Sequence, residues 1–351
     1  MKQFLVIQTA FLGDAVLVTS ILEKLHAQYP DAAIDLVVRK GNEGLFGAHA
    51  GSTPGDRTID PPGRPSAISS HAHPFLRHLF VWDKRQGKTR ALFRLIGELR
   101  KTRYDHIINA QRFFSTGLMT VLARGKEKVG YDKNPLSFLF TRKVKHVIGD
   151  GRHEVDRLNA LIEHLTDDKR PLPRLYPDDK ASSEADHLID PSSDHLICIA
   201  PASVWYTKQW PAEKWVELIK ALPAEATIAL IGAPGDVPLC ERIAQEAGRG
   251  EVLAGKLSLL GTAALMARAT MNYVNDSAPL HIASAMHAPV TAVFCSTVPP
   301  FGFGPLRENG RIVETTEQLD CRPCGLHGYK ACPLGHFKCA WEIEVDAVLA
   351  S

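Results

Sequence analysis

Three short stretches carry residue types and spacings that could do chemistry. The first is QTAFLGDAVLVTSIL, residues 8–22, where Asp14 sits between an apolar strand-like run and an apolar helical one. A carboxylate at the carboxyl end of a strand is where open α/β sheets meet their ligands, and it can serve as a general base. The plainer alternative is that Gly13 makes a turn and Asp14 caps the helix. The second is APASVWYTKQWPAEKWVEL, residues 200–218, where Thr207-Lys208 lies between a strand and a helix opened by Pro211. Backbone amides, a hydroxyl and an ammonium converging there would cradle phosphates. The spacing is not that of a Walker loop, and a solvated loop lysine is the alternative. The third is VNDSAPLHIASAMHAPVTAVF, residues 274–294. There Asp276 and Ser277 end a strand, Pro279 opens a helix, and His281 lies one turn in, placed to add a hydrogen bond or charge to an anion.

Positioning these residues requires alternating strands and helices. Apolar runs at 3–8, 33–38, 78–82, 105–109 and 127–130 read as strands, with helices near 15–28, 89–102 and 115–123. A long helix is expected near 152–166, followed by the Pro-interrupted stretch DDKRPLPRLYPDD. That stretch divides the chain into 1–175 and 176–351. The second half repeats the grammar: strands HLICIAP and TIALIGAP, helices AEKWVELIKAL and VPLCERIAQEAG, and strands near 251–253, 272–275 and 290–295. The fold class is α/β, with two doubly wound domains and a binding site expected in a cleft between them. Residues 47–73 are rich in Pro, Gly, Ser and Ala and read as a mobile surface loop or a lid.

Composition is that of a globular protein, with 45% hydrophobic and 23% charged residues. No apolar run is long enough for a membrane span and the start lacks a signal-peptide pattern, so a cytoplasmic location is expected. The net charge of +2 conceals an asymmetry: residues 1–175 hold 28 Lys+Arg against 18 Asp+Glu, and residues 176–351 hold 13 against 21. The basic half suggests a phosphorylated, nucleic-acid or anionic-membrane partner. No aromatic-and-basic recognition motif accompanies it and the acidic half would repel phosphates, so nucleic acid is not expected.

Cys321, Cys324, Cys332 and Cys339 form C-x2-C-x7-C-x6-C with His327 and His336 interspersed. A structural zinc site, an iron–sulfur cluster, redox thiols and plain packing are all compatible with that spacing. Cys198, Cys240 and Cys295 lie in apolar runs and read as core residues.

Together with CRPCGLHGYKACPLGHFKC, the three stretches resemble glycosyltransferase family nine, the ADP-heptose:lipopolysaccharide heptosyltransferases, and most of all the heptosyltransferase II branch. The resemblance implies a GT-B architecture of two Rossmann-like domains facing a central cleft, with the acceptor on the first and the nucleotide-sugar on the second. It implies Asp14 as general base. It implies Ser203, Thr207, Lys208, Leu257, Asp276, Ser277, Ala278 and His281 as donor-binding residues, with Leu257 against adenine; Ala278 stands where the family pattern often carries Gly. Lys208 and His281, with the helix start at Pro279, would offset the charge of the departing diphosphate, so no metal cofactor is required for the chemistry. The acceptor would be the lipid A core on the inner leaflet of the membrane, for which Arg39, Lys40, Arg112, Arg142 and Lys143 are candidate ligands. The alternatives are the same fold with another nucleotide-sugar or acceptor, and a nucleotide-sugar-binding protein without catalysis.

Overall fold

The computed structural model describes residues 1–47, 67–68, 73–85, 87–306, 308 and 310–350. The chain divides into two compact units, Met1–Val147 with Glu154–Tyr176, and Ile148–His153 with Pro177–Ser351. The short segment 148–153 therefore belongs to the second unit, where His153 Nε2 lies 2.9 Å from the Gly304 carbonyl.

The first unit holds β1 (Gln3–Ile7), α1 (Leu12–Leu17), α2 (Thr19–Gln28), β2 (Ala33–Arg39), β3 (Ala67–Ile68), β4 (Leu76–Trp82), α3 (Lys88–Leu99), β5 (Tyr104–Asn109), α4 (Phe114–Leu122), β6 (Gly125–Tyr131), β7 (Arg142–Val144) and α5 (Glu154–Ala160). Its seven-stranded sheet runs β3-β4-β2-β1-β5-β6-β7. Only the β3–β4 pair is antiparallel. Strand order reverses at β1, so the carboxyl ends of β1 and β5 form the switch point where such sheets bind ligands. Phe4, Leu5, Val6 and Ile7 are fully buried, as a parallel strand covered on both faces requires.

Three features differ from the sequence expectation. The helix expected over 15–28 is broken at Val18, because the Thr19 and Ser20 hydroxyls donate to the carbonyls of Val16 and Leu17 (both 2.7 Å) and bend the ladder. The helix expected over 152–166 ends at Ala160; Leu161, Ile162 and Leu165 donate instead to carbonyls three residues back, a tighter winding. Of the loop expected over 47–73, residues 48–66 and 69–72 lie outside the described residues, while Ala67–Ile68 pairs with Phe80 and Leu79 as β3.

The second unit holds α6 (Asp179–Leu188), β8 (Leu196–Ala200), α7 (Ala212–Ala221), β9 (Thr227–Leu230), α8 (Val237–Ala247), β10 (Glu251–Val252), α9 (Leu259–Arg268), β11 (Met271–Asn275), α10 (Ala278–Ala285), β12 (Val290–Phe294), β13 (Gly310–Glu314), α11 (Lys338–Trp341) and α12 (Val345–Leu349). Its six strands run β10-β9-β8-β11-β12-β13, all parallel, and reverse between β8 and β11. The core gathers Trp210, Trp215, Ile199 and Leu230 with Cys240 and Cys295. Cys198 is likewise buried. Helix α6, which the Pro-rich stretch hid from sequence reading, starts where the Asp178 carboxylate accepts the Ala181 amide (2.8 Å).

The first unit tolerates a fully buried charge in mid-sheet. Asp35, fully buried in β2, accepts two bonds from Arg77 (2.9 and 2.7 Å) and one from the Tyr104 hydroxyl (2.7 Å), with His78 Nδ1 at 3.2 Å. Removing one member of such a set strands the others. Asp35→Ala is expected to lower the unfolding free energy by about 3–5 kcal/mol, read by denaturant titration of the first unit's transition.

Candidate active site

At the first switch point Asp14 is the third residue of α1, and Phe11, in extended backbone, precedes the helix. Gly13 is therefore a helical residue and not a turn, and Asp14 is not the cap. Burial, with the Glu154 carboxylate second, pushes the Asp14 pKa up to about 7. The backbone amides of Phe11 and Asp14 and the Arg112 guanidinium oppose the rise. A carboxylate that exchanges its proton near neutrality is matched to general-base work. Glu154 is itself buried and bonded to buried Arg157 (2.7 Å), and burial raises its pKa too. Sequence reading missed this pair, since a Glu and an Arg three apart on a helix normally mark a solvated face.

The loops after β1 and β5 are laced together. Gln111 Nε2 donates to Gln8 Oε1, the Gln111 amide to Asn109 Oδ1 (3.0 Å), and the Ala10 amide to Gln8 Oε1 (3.2 Å). Arg112 leaves this web half-buried, close enough to act on Asp14. Arg39 ends β2 with its guanidinium 5.3 Å from the Phe11 ring centre, and Lys40 pairs with Glu43 (2.7 Å). Arg142 is not brought to this edge: its Nε reaches back to Glu127 Oε1 (3.3 Å), in the first half of β6. Glu127 Oε2 also meets His106 Nδ1 (2.8 Å) and His164 Nε2 (3.0 Å). These three are the one group of such donors gathered closely enough for an ion among the described residues. With Arg142 on its other oxygen the carboxylate is fully paired without one. Burial raises the Glu127 pKa, but the His164 and His106 bonds outweigh it and the net shift is downward.

At the second switch point Asn275 locks the strand ends, accepting the Trp210 amide (2.9 Å) and donating to the Pro201 carbonyl (2.8 Å). Lys208 Nζ lies 2.7 Å from Asp276 Oδ2, which also accepts the Thr297 hydroxyl (2.5 Å). An ammonium has three donors, so two remain for a ligand. Ser277 precedes α10 without capping it by its side chain. Pro279 has no N–H and Leu280 donates to the Ser277 carbonyl (3.1 Å), so the helix start offers chiefly the Ala278 amide. His281 is buried and its Nδ1 has no partner among the described residues. Burial, reinforced by His153 and Lys208 and opposed by Asp276, pushes its pKa down to about 3. Burial thus favours the neutral ring, whereas the sequence reading allowed His281 to add charge.

Thr207 also differs from expectation. Its buried hydroxyl accepts from the Tyr329 amide (2.8 Å) and the Ser296 hydroxyl (3.0 Å), so it bolts the cysteine-rich segment to the loop after β8. Gly328, at φ +80°, permits this contact; a Cβ there would come within 2.9 Å of Thr207 Oγ1 and 3.1 Å of Lys208 Cγ. The half-buried Ser203 closes the same loop by accepting Gln209 Nε2 at its carbonyl (2.7 Å). Half-buried Leu257 precedes Ser258, whose hydroxyl accepts the Gly261 amide (2.9 Å) at the start of α9. Cys321, Cys324, Cys332 and Cys339 line one cavity with His336 and Tyr329, all four as free thiols. Among the described residues their sulfurs are not gathered closely enough for one ion. Burial, reinforced by the neighbouring Cys324, Cys321 and Cys332 and opposed by Arg322, pushes the Cys339 thiol up to about 12. The residues as placed do not fit a tetrathiolate metal.

The family model for glycosyltransferase family 9 (heptosyltransferase) matches residues 92–329. Lipopolysaccharide heptosyltransferase 1 of Pseudomonas aeruginosa is 26% identical over 326 residues, covering 91% of this chain and 85% of the relative. Lipopolysaccharide heptosyltransferase 1 of Escherichia coli K12 is 28% identical over 315 residues, covering 84% and 88%. The solved structure of E. coli ADP-heptose lps heptosyltransferase II superposes with a TM-score of 0.75 at 21% identity, covering 100% of this chain and 97% of that one. E. coli heptosyltransferase WaaC with ADP gives 0.70 at 21% identity, covering 99% and 98%. The paired doubly wound units thus define a GT-B glycosyltransferase fold. More narrowly, the chain belongs to glycosyltransferase family 9.

The raised Asp14 pKa has a consequence for stability. Folding disfavours the ionised carboxylate, so stability falls as pH rises from the unfolded value near 4 to about 7 and is level above. Asp14→Asn is expected to be more stable than the native chain by roughly 2–4 kcal/mol at pH 8, with the gap closing below about pH 4. Thermal unfolding across that range checks it.

Proposed function

We propose that the chain transfers L-glycero-D-manno-heptose, with inversion, from ADP-heptose to the inner core of lipopolysaccharide, as a type II heptosyltransferase. The observation that carries this reading is Asp14, a near-neutral carboxylate at the switch point of the first unit. Family membership and the lipopolysaccharide heptosyltransferases among the relatives supply the substrate class. Asp14 takes the proton of the acceptor hydroxyl as it attacks the anomeric carbon. Its own backbone-amide bonds and Arg112 keep the carboxylate from rising beyond neutrality.

In the second unit Lys208 and the Ala278 amide meet the diphosphate as negative charge develops on departure. Asp276 holds the ammonium in place, and neutral His281 adds a hydrogen-bonding ring without a competing charge. The mechanism draws on no metal for leaving-group stabilisation. Leu257 offers an apolar side chain to the adenine, and the cysteine-rich segment supports the loop through Thr207. Among the basic residues, Arg112, Arg39 and Lys40 are those at the carboxyl edge suited to acceptor phosphates and carboxylates. No helix among the described residues is long and apolar enough to cross a membrane. The lipid-linked acceptor would accordingly be met from the membrane surface.

Asp14→Asn is expected to keep ADP affinity while turnover drops about 10²–10⁴-fold, measured with ADP-heptose and a core acceptor already bearing one heptose. Transfer only to an acceptor lacking heptose would overturn the type II reading. For the native chain kcat/KM should fall about tenfold per pH unit below about 7 and level off above, because the base must be ionised. Lys208→Ala should weaken ADP binding by about ten- to a hundredfold in calorimetry. Unchanged affinity would remove Lys208 from the donor site.

A further inference from the structure

The carboxyl edge of the first sheet carries, beside Asp14, an ordered display of large apolar side chains that the transfer chemistry does not use. Phe113 and Phe114 follow β5 and are 60% and 56% exposed; Phe138, after β6, is 71% exposed, with exposed Leu139 beside it. Because β5 and β6 are neighbours, the two loops adjoin. Buried Asn134 ties them, donating to the carbonyls of Phe113 (3.0 Å) and Gln111 (3.3 Å). Gly117 of α4 packs so closely on Asn134 that no Cβ fits between them.

The turn Ser137–Leu139 is held from both sides. Ser137 donates to the Asp132 carbonyl (2.9 Å), and the next residue, Phe140, is buried against Gly130. With Asn134 and Phe140 anchored inside, Phe138 and Leu139 are pointed outward by the backbone. Rigid presentation of apolar side chains to solvent costs solubility and marks an interaction surface. The flanking charge says what kind. Residues 131–146 contain four basic side chains, Lys133, Arg142, Lys143 and Lys145, against the single acid Asp132. The three lysines are exposed and enter no ion pair among the described residues.

We infer that the loops 112–114 and 132–145 form a docking surface for an anionic lipid bilayer, Phe138 and Leu139 entering the headgroup and acyl boundary while the lysines meet lipid phosphates. This rests on the reading of the acceptor as a membrane lipid, since it places the acceptor side of the protein on the layer where that lipid resides. A second copy of the chain would also cover apolar side chains, but the lysines would then face lysines.

The test is co-sedimentation of the full chain with phosphatidylglycerol-containing vesicles and with pure phosphatidylcholine vesicles, neither containing lipopolysaccharide. The native chain should bind only the anionic vesicles and be released by salt. The double variant Phe138→Ser, Leu139→Ser, and separately Lys133→Glu, Lys145→Glu, should each bind about tenfold more weakly or worse. Transfer of heptose to a water-soluble, deacylated acceptor should be unchanged in both. No binding of the native chain to anionic vesicles overturns the proposal, as does undiminished binding of the variants. A dimer of the native chain that the Ser variant abolishes, without vesicle binding, overturns it in favour of self-association. Vesicle binding by a chain that transfers no heptose to any acceptor would instead refute the proposed function and leave the surface standing.

Discussion

A parallel strand covered by helices on both faces can place polar groups only at its ends, and this constraint organises both units. β1 and β8 are apolar throughout their buried length. Reactive side chains are therefore displaced to the loops at the carboxyl edges, where the strand order reverses and the chain leaves a gap. Two carboxylates set within strands obey the same rule. Asp35 and Glu127 are each surrounded by partners until little of the carboxylate is unpaired. What is left at the edges is consequently the part of the polar inventory that remains available to ligands.

Burial acts in opposite directions on the two chemical groups it reaches there. It pushes Asp14 up, towards the protonated form, and His281 down, towards the neutral ring, since desolvation disfavours whichever form is charged. The result is a carboxylate poised to exchange a proton and an imidazole that does not. Positive charge near the proposed leaving group is then left to Lys208, whose position is set by Asp276 and, through it, by Thr297. The cysteine-rich segment joins this arrangement mechanically. Its Tyr329 amide occupies the Thr207 hydroxyl, and Gly328 allows the close approach. The thiols themselves line a cavity behind that contact.

The first unit combines this edge chemistry with an unusual surface. Its basic excess, 28 cations against 18 anions over residues 1–175, is partly absorbed by ion pairs such as Lys40–Glu43 and Arg142–Glu127. Lys133, Lys143 and Lys145 are exposed in the same stretch as Phe138 and Leu139, so charge and apolar area coincide there instead of cancelling.

Period and punctuation in the sequence were enough to determine the alternation of strands and helices, the small-residue turns that end the strands, and the stretches that carry Asp14, Lys208 and Asp276. Those signals are local, lying within one turn or one strand. The break at Val18 and the early end of α5 were not legible, because they depend on hydroxyls and carbonyls competing for bonds once the segments are packed. Nor were the Glu154–Arg157 pair, the commitment of Thr207 to Tyr329, or the neutrality of His281. Each depends on desolvation or on a partner 3 to 122 positions away in sequence, and only tertiary structure decides which polar groups lose their water.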